Sequence, residues 1–463
     1  SWDSGFQTHF RDGPFEHRSF VPSLCLQDLA IILDLAGEWF TEAGRDLILR
    51  RMAEEGLGSI NFNTWKHDYI FECNQLAWFT PGRILASLIL EKTWPRAAAQ
   101  SDLAISDLTE SLKHAILPDG GYPEGPTYFQ CVSKDALLPY LVYTQARGLT
   151  MSEIVPDSVF KTEAFAELIA STDESSDCIP ICDARSHMDL TGLALIAHLM
   201  PESQWVRIYR KKLSREGGKP AHLLAMNKDS EIPHEAPPFE PFIQLQEMGP
   251  VASVRSSNDC VVKLFVQGNK ANAGHAHEDK GSFVLEFAGD TFLMDPGTCD
   301  YSYPNSMLLK NCERHNMLVP TGVQERPFPL NPLPFDVKPT ADGDEVSFNA
   351  EIDLSPGWEG LYKKWIRTWT SSEPFLIEIS DDYELARGDG VAFLLNTQLP
   401  VKVDTGGVEI SGRKGVVYIT TADDCEIVLE TLAIDDSREQ TQIRFLKKGK
   451  TGRITVSIEM EKL

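Results

Sequence analysis

The chain has 463 residues, a formal charge of −25 and an apolar content of 42%, so it is long and apolar enough to bury large cores in two or three domains. The acidic balance argues against nucleic acid as a general partner, and no run of about 18 apolar residues reads as a membrane span. Nine cysteines, scattered without zinc-ribbon spacing, read as mostly buried free thiols rather than a disulfide framework.

Residues 1–20 are aromatic and charged without a clear period. From Pro22 onward Leu24, Leu26, Leu29, Ile32 and Leu35 make a mostly helical apolar stripe, and Glu42 to Met52 continues as a second helix broken by Gly56 and Gly58. Asn74 to Leu90 reads as a helix ending before Pro95. Leu103, Leu108, Leu112 and Ile116 give the next, with Ser101 as its N-cap. Pro118-Asp119-Gly120-Gly121 stops it, Ser133 to Arg147 is helical again up to Gly148, and further helices run to about Leu224. Pro233, Pro237, Pro238 and Pro241 forbid helix and mark a linker. Beyond it, Cys260 to Val266, Ser282 to Phe287, Val346 to Ile352, Tyr362 to Thr370, Phe375 to Ser380, Gly415 to Thr420 and Ile454 to Ile458 read as strands. The expected organisation is a helical domain over 1–230, a Pro-rich linker over 231–241, and a domain of packed antiparallel sheets over 242–463.

The chemistry concentrates in Gly274-His275-Ala276-His277-Glu278-Asp279-Lys280-Gly281-Ser282 and in the segments from there to His315. Two histidines at i and i+2 share a face if they lie on a strand. Asp295 ends the next apolar run and His315 precedes another, so two or three histidines and an aspartate can converge as a ligand set that zinc accepts. Taken alone, a His-x-His pair is more often two half-buried histidines. A cupin-type barrel would need a Glu where Gly281 and Ser282 stand.

The run GHAHEDKGSFVLEFAGDTFLMDPGT, followed by ERHN, resembles the C-terminal sheet signature of the heparinase II/III-like polysaccharide lyases. Two further blocks match in order: Asn63-Thr64-Trp65 with Cys73-Asn74 and Pro118 to Tyr128, and then Pro180 to Asp183. Together they span about Asn61 to Gln324. The resemblance implies an incomplete (α/α) toroid followed by an antiparallel β-sandwich. It also implies β-elimination on an acidic, uronate-containing polysaccharide, with glycosaminoglycans first and alginate as the alternative. A non-catalytic polysaccharide-binding protein and a zinc-dependent hydrolase are the rivals from other classes. The expected location is periplasmic or secreted, with the cytoplasm left open, and no basic segment followed by an apolar one opens the chain.

Elimination needs a group to neutralise the uronate carboxylate, a base, and a proton donor for the leaving oxygen. Tyr128 matches the family's donor, since a phenol with a pKa near 10 can protonate an alkoxide, and it is a candidate base as well. Tyr122 is the alternative. Asn74 matches the carboxylate neutraliser. Some relatives carry His directly after this Asn, whereas this chain has Gln75, which cannot be a base. Base duty therefore falls to Tyr128, His67 or His275. The resemblance implies that His277, Asp295 and His315 bind one divalent metal, zinc before manganese or calcium, that holds the loop structurally. His275 then faces the cleft as a catalytic group, although same-face geometry also allows it to be a ligand. Tyr301 lines the same cleft as a catalytic candidate. Gln75, His67, Tyr122, Glu124, Arg83, Arg185 and Arg314 are the expected substrate contacts, and Asp183 an orienting group. The basic clusters at Arg207 to Arg215 and Lys447 to Lys450 read as solvated faces.

Overall fold

The computed structural model describes residues 19–72, 74–217, 232–323, 335–404 and 406–463. Residues 1–18, Cys73, the helical end expected near Leu224, the 230/231 boundary and Gln324 lie outside them.

Helices dominate up to Glu216 and curl as an incomplete (α/α) toroid; the longer ones are Phe20–Ala36, Gln75–Glu91, Ala98–Ala115, Leu137–Arg147 and Gln204–Glu216. Gln75–Glu91 lies between Phe20–Ala36 and Ala98–Ala115 and buries Leu76, Phe79, Ile84 and Leu90. Pro81 interrupts its ladder because proline has no N–H to give. The hydroxyl of Ser23 enters at that point, accepting from Gly82 N at 3.3 Å and donating to Trp78 O at 3.0 Å. The approach is so close that a Cβ on Gly82 would stand 2.7 Å from the Ser23 Cα.

Several expectations fail in this half. Gly56 and Gly58 do not break the second helix, which runs on through Met52–Leu57 into Gly58–Lys66. Ser101 is not an N-cap: its helix begins at Ala98, and its hydroxyl bonds Ala98 O inside the first turn. The apolar stripe of the first helix is also not core throughout, since Leu26 and Ala30 are buried while Leu24 and Leu35 are 54% and 79% exposed. Helical spacing shows that a face is apolar but not what covers it. Phe20–Trp39, with a mean hydropathy of 1.5, is moreover long and apolar enough to cross a membrane by length and composition alone. The expectation that no such stretch exists is corrected: Asp28 and Asp34 break the run without lowering its average enough.

Ile232 to Pro241 runs without helix or strand. The β half opens with a five-stranded antiparallel sheet in the order β1 (Phe242–Gln244), β2 (Val251–Ser257), β3 (Cys260–Val266), β4 (Phe283–Phe287) and β5 (Asp290–Leu293). Side chains alternate between its faces. Ala252, Phe265 and Val284 join the helical core, while Val251, Leu264, Phe283 and Leu285 join the core of the β half. An eight-stranded sheet built around Tyr362–Glu373, Leu376–Leu385 and Thr451–Lys462 supplies the other side of that core, and a four-stranded sheet around Gly390–Thr397 completes it. The eight described cysteines are free thiols.

Polar bonds dock the first sheet on the helices. Lys263 on β3 donates to Glu167 O at 3.1 Å and Ala170 O at 2.6 Å. Glu286 on β4 accepts from Thr172 N at 2.5 Å and Thr172 Oγ1 at 2.7 Å, and also from Ser171 Oγ. Within the β half, buried Arg367 pairs with Asp381 at 2.8 Å and donates to Gly281 O and Asn316 O, while Asn316 Nδ2 donates to Phe283 O and Met294 O. These bonds fix both ends of the histidine-bearing segments.

Candidate active site and metal centre

His275 and His277 do not lie on a strand. They sit in a loop between β3 and β4 whose base is closed by Gln267 N to Ser282 O at 2.8 Å and Gly281 N to Gln267 O at 2.9 Å. His275 has φ of 59°. The strand expectation is corrected, because the apolar alternation that signals the strand begins only at Phe283.

Both histidines nevertheless meet at Asp183, which reaches across from the helical half. His275 Nδ1 is 3.0 Å from Asp183 Oδ2, and His277 Nε2 is 3.0 Å from Asp183 Oδ1. Tyr301 donates to Asp183 Oδ2 at 2.8 Å, and Lys310 Nζ donates to the same oxygen at 2.5 Å. Burial works to raise the Asp183 carboxyl, but the bonds from His275, His277 and Lys310 outweigh it and hold the group well below the usual carboxylate range. A carboxylate only accepts hydrogen bonds. His275 therefore carries its proton on Nδ1, and in the neutral ring Nε2 keeps a free lone pair.

Tyr128 stacks on His275, with ring centroids 3.6 Å apart and 14° between planes, and its hydroxyl is 2.9 Å from that of Tyr301. Tyr128 lies in the short helix Pro126–Gln130, started by Pro126 at its first position after Gly125. Gly125 has φ of +85°, and a Cβ there would stand 2.6 Å from Ile181 O, so this turn requires glycine. Burial raises the Tyr128 hydroxyl, with the Tyr301 bond opposing and Asp183 and Glu124 adding to the rise, so it stays protonated. Tyr301, 56% exposed, is raised as well, by burial of its hydroxyl end and then by Tyr128 and Asp183.

Asn74 Nδ2 donates to Glu124 Oε2 at 3.1 Å, and that oxygen is 3.8 Å from His275 Nε2. Burial raises the Glu124 carboxyl, while His275 works to lower it. Arg185 is exposed beside this cluster, its backbone N–H bonded to Thr127 Oγ1 at 2.9 Å. His67 and Gln75 are half-buried near the entry to the Asn74 helix, and His67 Nε2 and Gln75 Oε1 lack partners among the described residues.

Two expected contacts are corrected. Tyr122 is 1% exposed and packs edge-on against Phe129 in the core, where no substrate reaches it. Arg83 is fully buried, bonded to Asp107 at 2.6 Å and Asn61 at 2.8 Å. Arg314 is half-buried and donates to Ala433 O at 3.2 Å. For Tyr122 and Arg83 the motif located a neighbourhood, whereas the direction of the side chain was set by packing. Lys310 was missed because a lone lysine in a loop carries no sequence signal.

His277, Asp295 and His315 are buried, with ligand atoms all within 4.8 Å of one another. Their hydrogen bonds fit a metal. His277 gives its Nε2 proton to Asp183, which leaves buried Nδ1 a lone pair with no partner among the described residues. His315 Nε2 is 2.9 Å from Leu309 O and so carries a proton, which leaves Nδ1 facing Asp295 Oδ2 at 3.1 Å. A neutral His315 would set a lone pair against a carboxylate oxygen. Either His315 takes a second proton or a cation stands between the two. Burial lowers the His315 pKa, but Asp295 overrides it and lifts the ring to about 9, and the charge of Asp295 is favoured in turn by His315. A carboxylate, here Asp183, holding the far nitrogen of a ligating histidine is the usual outer support of a metal site.

Residues 241–458 match the family model "Heparinase II/III-like, C-terminal". Comparison with curated protein sequences finds no match. Among solved structures, the chain is similar over 100% of its length to 73% of a heparinase III, at 14% identity and a TM-score of 0.72. It is similar over 99% to 72% of a heparan sulfate lyase mutant from Pedobacter heparinus, at 14% identity and a TM-score of 0.65. A second heparinase III is matched over 68% of its length by 96% of this chain, at 12% identity and a TM-score of 0.70. Residues 241–458 thus belong to the heparinase II/III-like C-terminal domain family, and the whole chain shares with these solved structures a fold of helices followed by antiparallel sheets.

Proposed function

We propose that the protein is a polysaccharide lyase that cleaves a uronic-acid polymer, a glycosaminoglycan first, by β-elimination. The observation that carries this reading is the stack of Tyr128 on His275. A protonated phenol from the helical half and an imidazole lone pair from the β half lie side by side. The uronate carboxylate binds against the Asn74 amide and Glu124, whose raised carboxyl can share a proton with it. His275 Nε2 removes the C5 proton, and Tyr128 protonates the 4-linked oxygen as it leaves, so the bond breaks and a C4–C5 double bond forms. General acid–base help of this kind contributes roughly 10²–10⁴ in rate. The Tyr301 hydroxyl, tied to Asp183, is positioned to return a proton to Tyr128.

The donor set of two imidazoles and a carboxylate suits zinc. Bound there, the ion would supply structural cross-linking between the loop after β3 and the segment around His315. His277, Asp295 and His315 would hold it.

Mass spectrometry of digested glycosaminoglycans tests the reaction. Elimination leaves products lighter by one water than hydrolysis of the same bond. Products of hydrolytic mass would sink the reading.

A further inference from the structure

We propose that Trp78 is the platform on which a sugar ring of the substrate stacks, one subsite from the bond that breaks. The proposal rests on the lyase reading and adds a specificity-determining residue to it. Trp78 stands four residues after Asn74, one turn along the helix that opens at Gln75, and so projects on the same side. Its indole N–H donates to Cys131 Sγ at 2.9 Å. Cys131 follows Tyr128 by three residues and feels the charge of Glu124. The ring also meets Phe20 edge-on, at 6.1 Å and 66°, and its carbonyl is held by Ser23. With its edge and backbone pinned in this way, the residue still leaves 41% of its surface open. A tryptophan that only filled core would be closed off, as Trp205 and Trp358 are at 0%. A fixed, bare indole offers a flat apolar surface at little entropic cost, and a pyranose offers an apolar C–H face with hydroxyls at its rim. Ligand sites combine such aromatic surfaces with a few polar groups, here Asn74 and Glu124.

The test compares wild type, Trp78→Phe and Trp78→Ala on size-fractionated oligosaccharides of the polymer that wild type cleaves, with KM, kcat and Tm measured together. A platform predicts that Trp78→Ala raises KM about ten-fold on long oligosaccharides and hardly on the shortest cleavable one. Trp78→Phe should recover most of the loss and melt with wild type. Unchanged KM at every length, or a loss equal at every length that follows a falling Tm, would overturn the proposal. Calorimetric binding of the longest glycosaminoglycan fragment, with and without Trp78→Ala in a Tyr128→Phe background, separates the two readings. If wild type forms no unsaturated product, the lyase reading fails, while a weakened fragment affinity still supports the platform and an unchanged one rejects it.

Discussion

The ring of Tyr128 lies flat on that of His275, 3.6 Å between centroids, although the first belongs to the helical half and the second to a loop of the first sheet. Neither half holds the pair alone. The docking bonds of Lys263 and Glu286 therefore maintain the site as much as they hold the fold together.

Asp183 is the hub of that junction, taking bonds from His275, His277, Tyr301 and Lys310 with its side chain wholly buried. Asp183→Asn leaves Lys310 facing a neutral amide and disturbs both histidines. Breaking a buried charge network by one partner costs about 3–5 kcal/mol. Denaturant unfolding should show a loss of that order together with a fall in kcat of at least about a hundred-fold. A variant that unfolds with wild type would remove Asp183 from this position.

Arg83 is a structural residue on this account. Arg83→Ala leaves Asp107 and Asn61 without their partner in the interior and should cost about 3–5 kcal/mol, while KM of the folded fraction stays at the wild-type value. With Arg83 committed to the core, the cations placed beside the Tyr128–Asp183 cluster are Arg185 and Lys310, with His275 when protonated. That is a modest set for a densely charged chain, so turnover should fall from unsulfated to highly sulfated polymers in the same assay. Faster cleavage of heparin than of an unsulfated glucuronan would contradict this.

Lys263 gives the fold a pH dependence. It is fully buried between Glu167 O and Ala170 O, and burial pulls its ammonium down to about 8 from 10.5. Its folded pKa lies below the unfolded one, so the unfolded chain binds more protons between the two values, and stability rises with pH across that window. The cost of keeping the charge buried is fully present below about 8, on the order of 3 kcal/mol. Lys263→Met should flatten the rise in Tm between pH 8 and 10.5. An identical rise in the variant would assign it to other groups.

The metal reading predicts about one equivalent of a divalent ion, zinc first, in purified protein, and a lower Tm after chelation that zinc restores. His315→Ala should melt like the chelated protein and no longer respond to chelator. Metal-free protein with an unaltered Tm would leave His315 as a doubly protonated partner of Asp295 instead.

Much of the fold and site was legible in the sequence, and the reasons differ by residue. Cys260–Val266 and Gly415–Thr420 were readable as strands to the residue because each is a β-branched run that opens at turn residues, after Asn258-Asp259 in the first case and at Gly415 in the second. His277, Asp295 and His315 were readable as a group because a motif constrains residues that must meet in space. Tyr122 and Arg83 misled because type and spacing do not report burial. Lys310, Asn316 and Arg367 act through contacts between distant segments, which no local pattern encodes. Trp78 was indistinguishable from the apolar residues of its helix until its exposed face was seen.

The most direct test is ultraviolet absorbance, which reports C4–C5 unsaturated uronate, during incubation with hyaluronan, chondroitin sulfates, dermatan sulfate, heparan sulfate, heparin and alginate, with Tyr128→Phe run beside wild type. The account predicts rising absorbance with at least one uronate polymer and a fall of roughly 10²–10⁴ in that rate in the variant, at unchanged Tm. Reducing ends appearing without absorbance, or a Tyr128→Phe variant as fast as wild type, would contradict it.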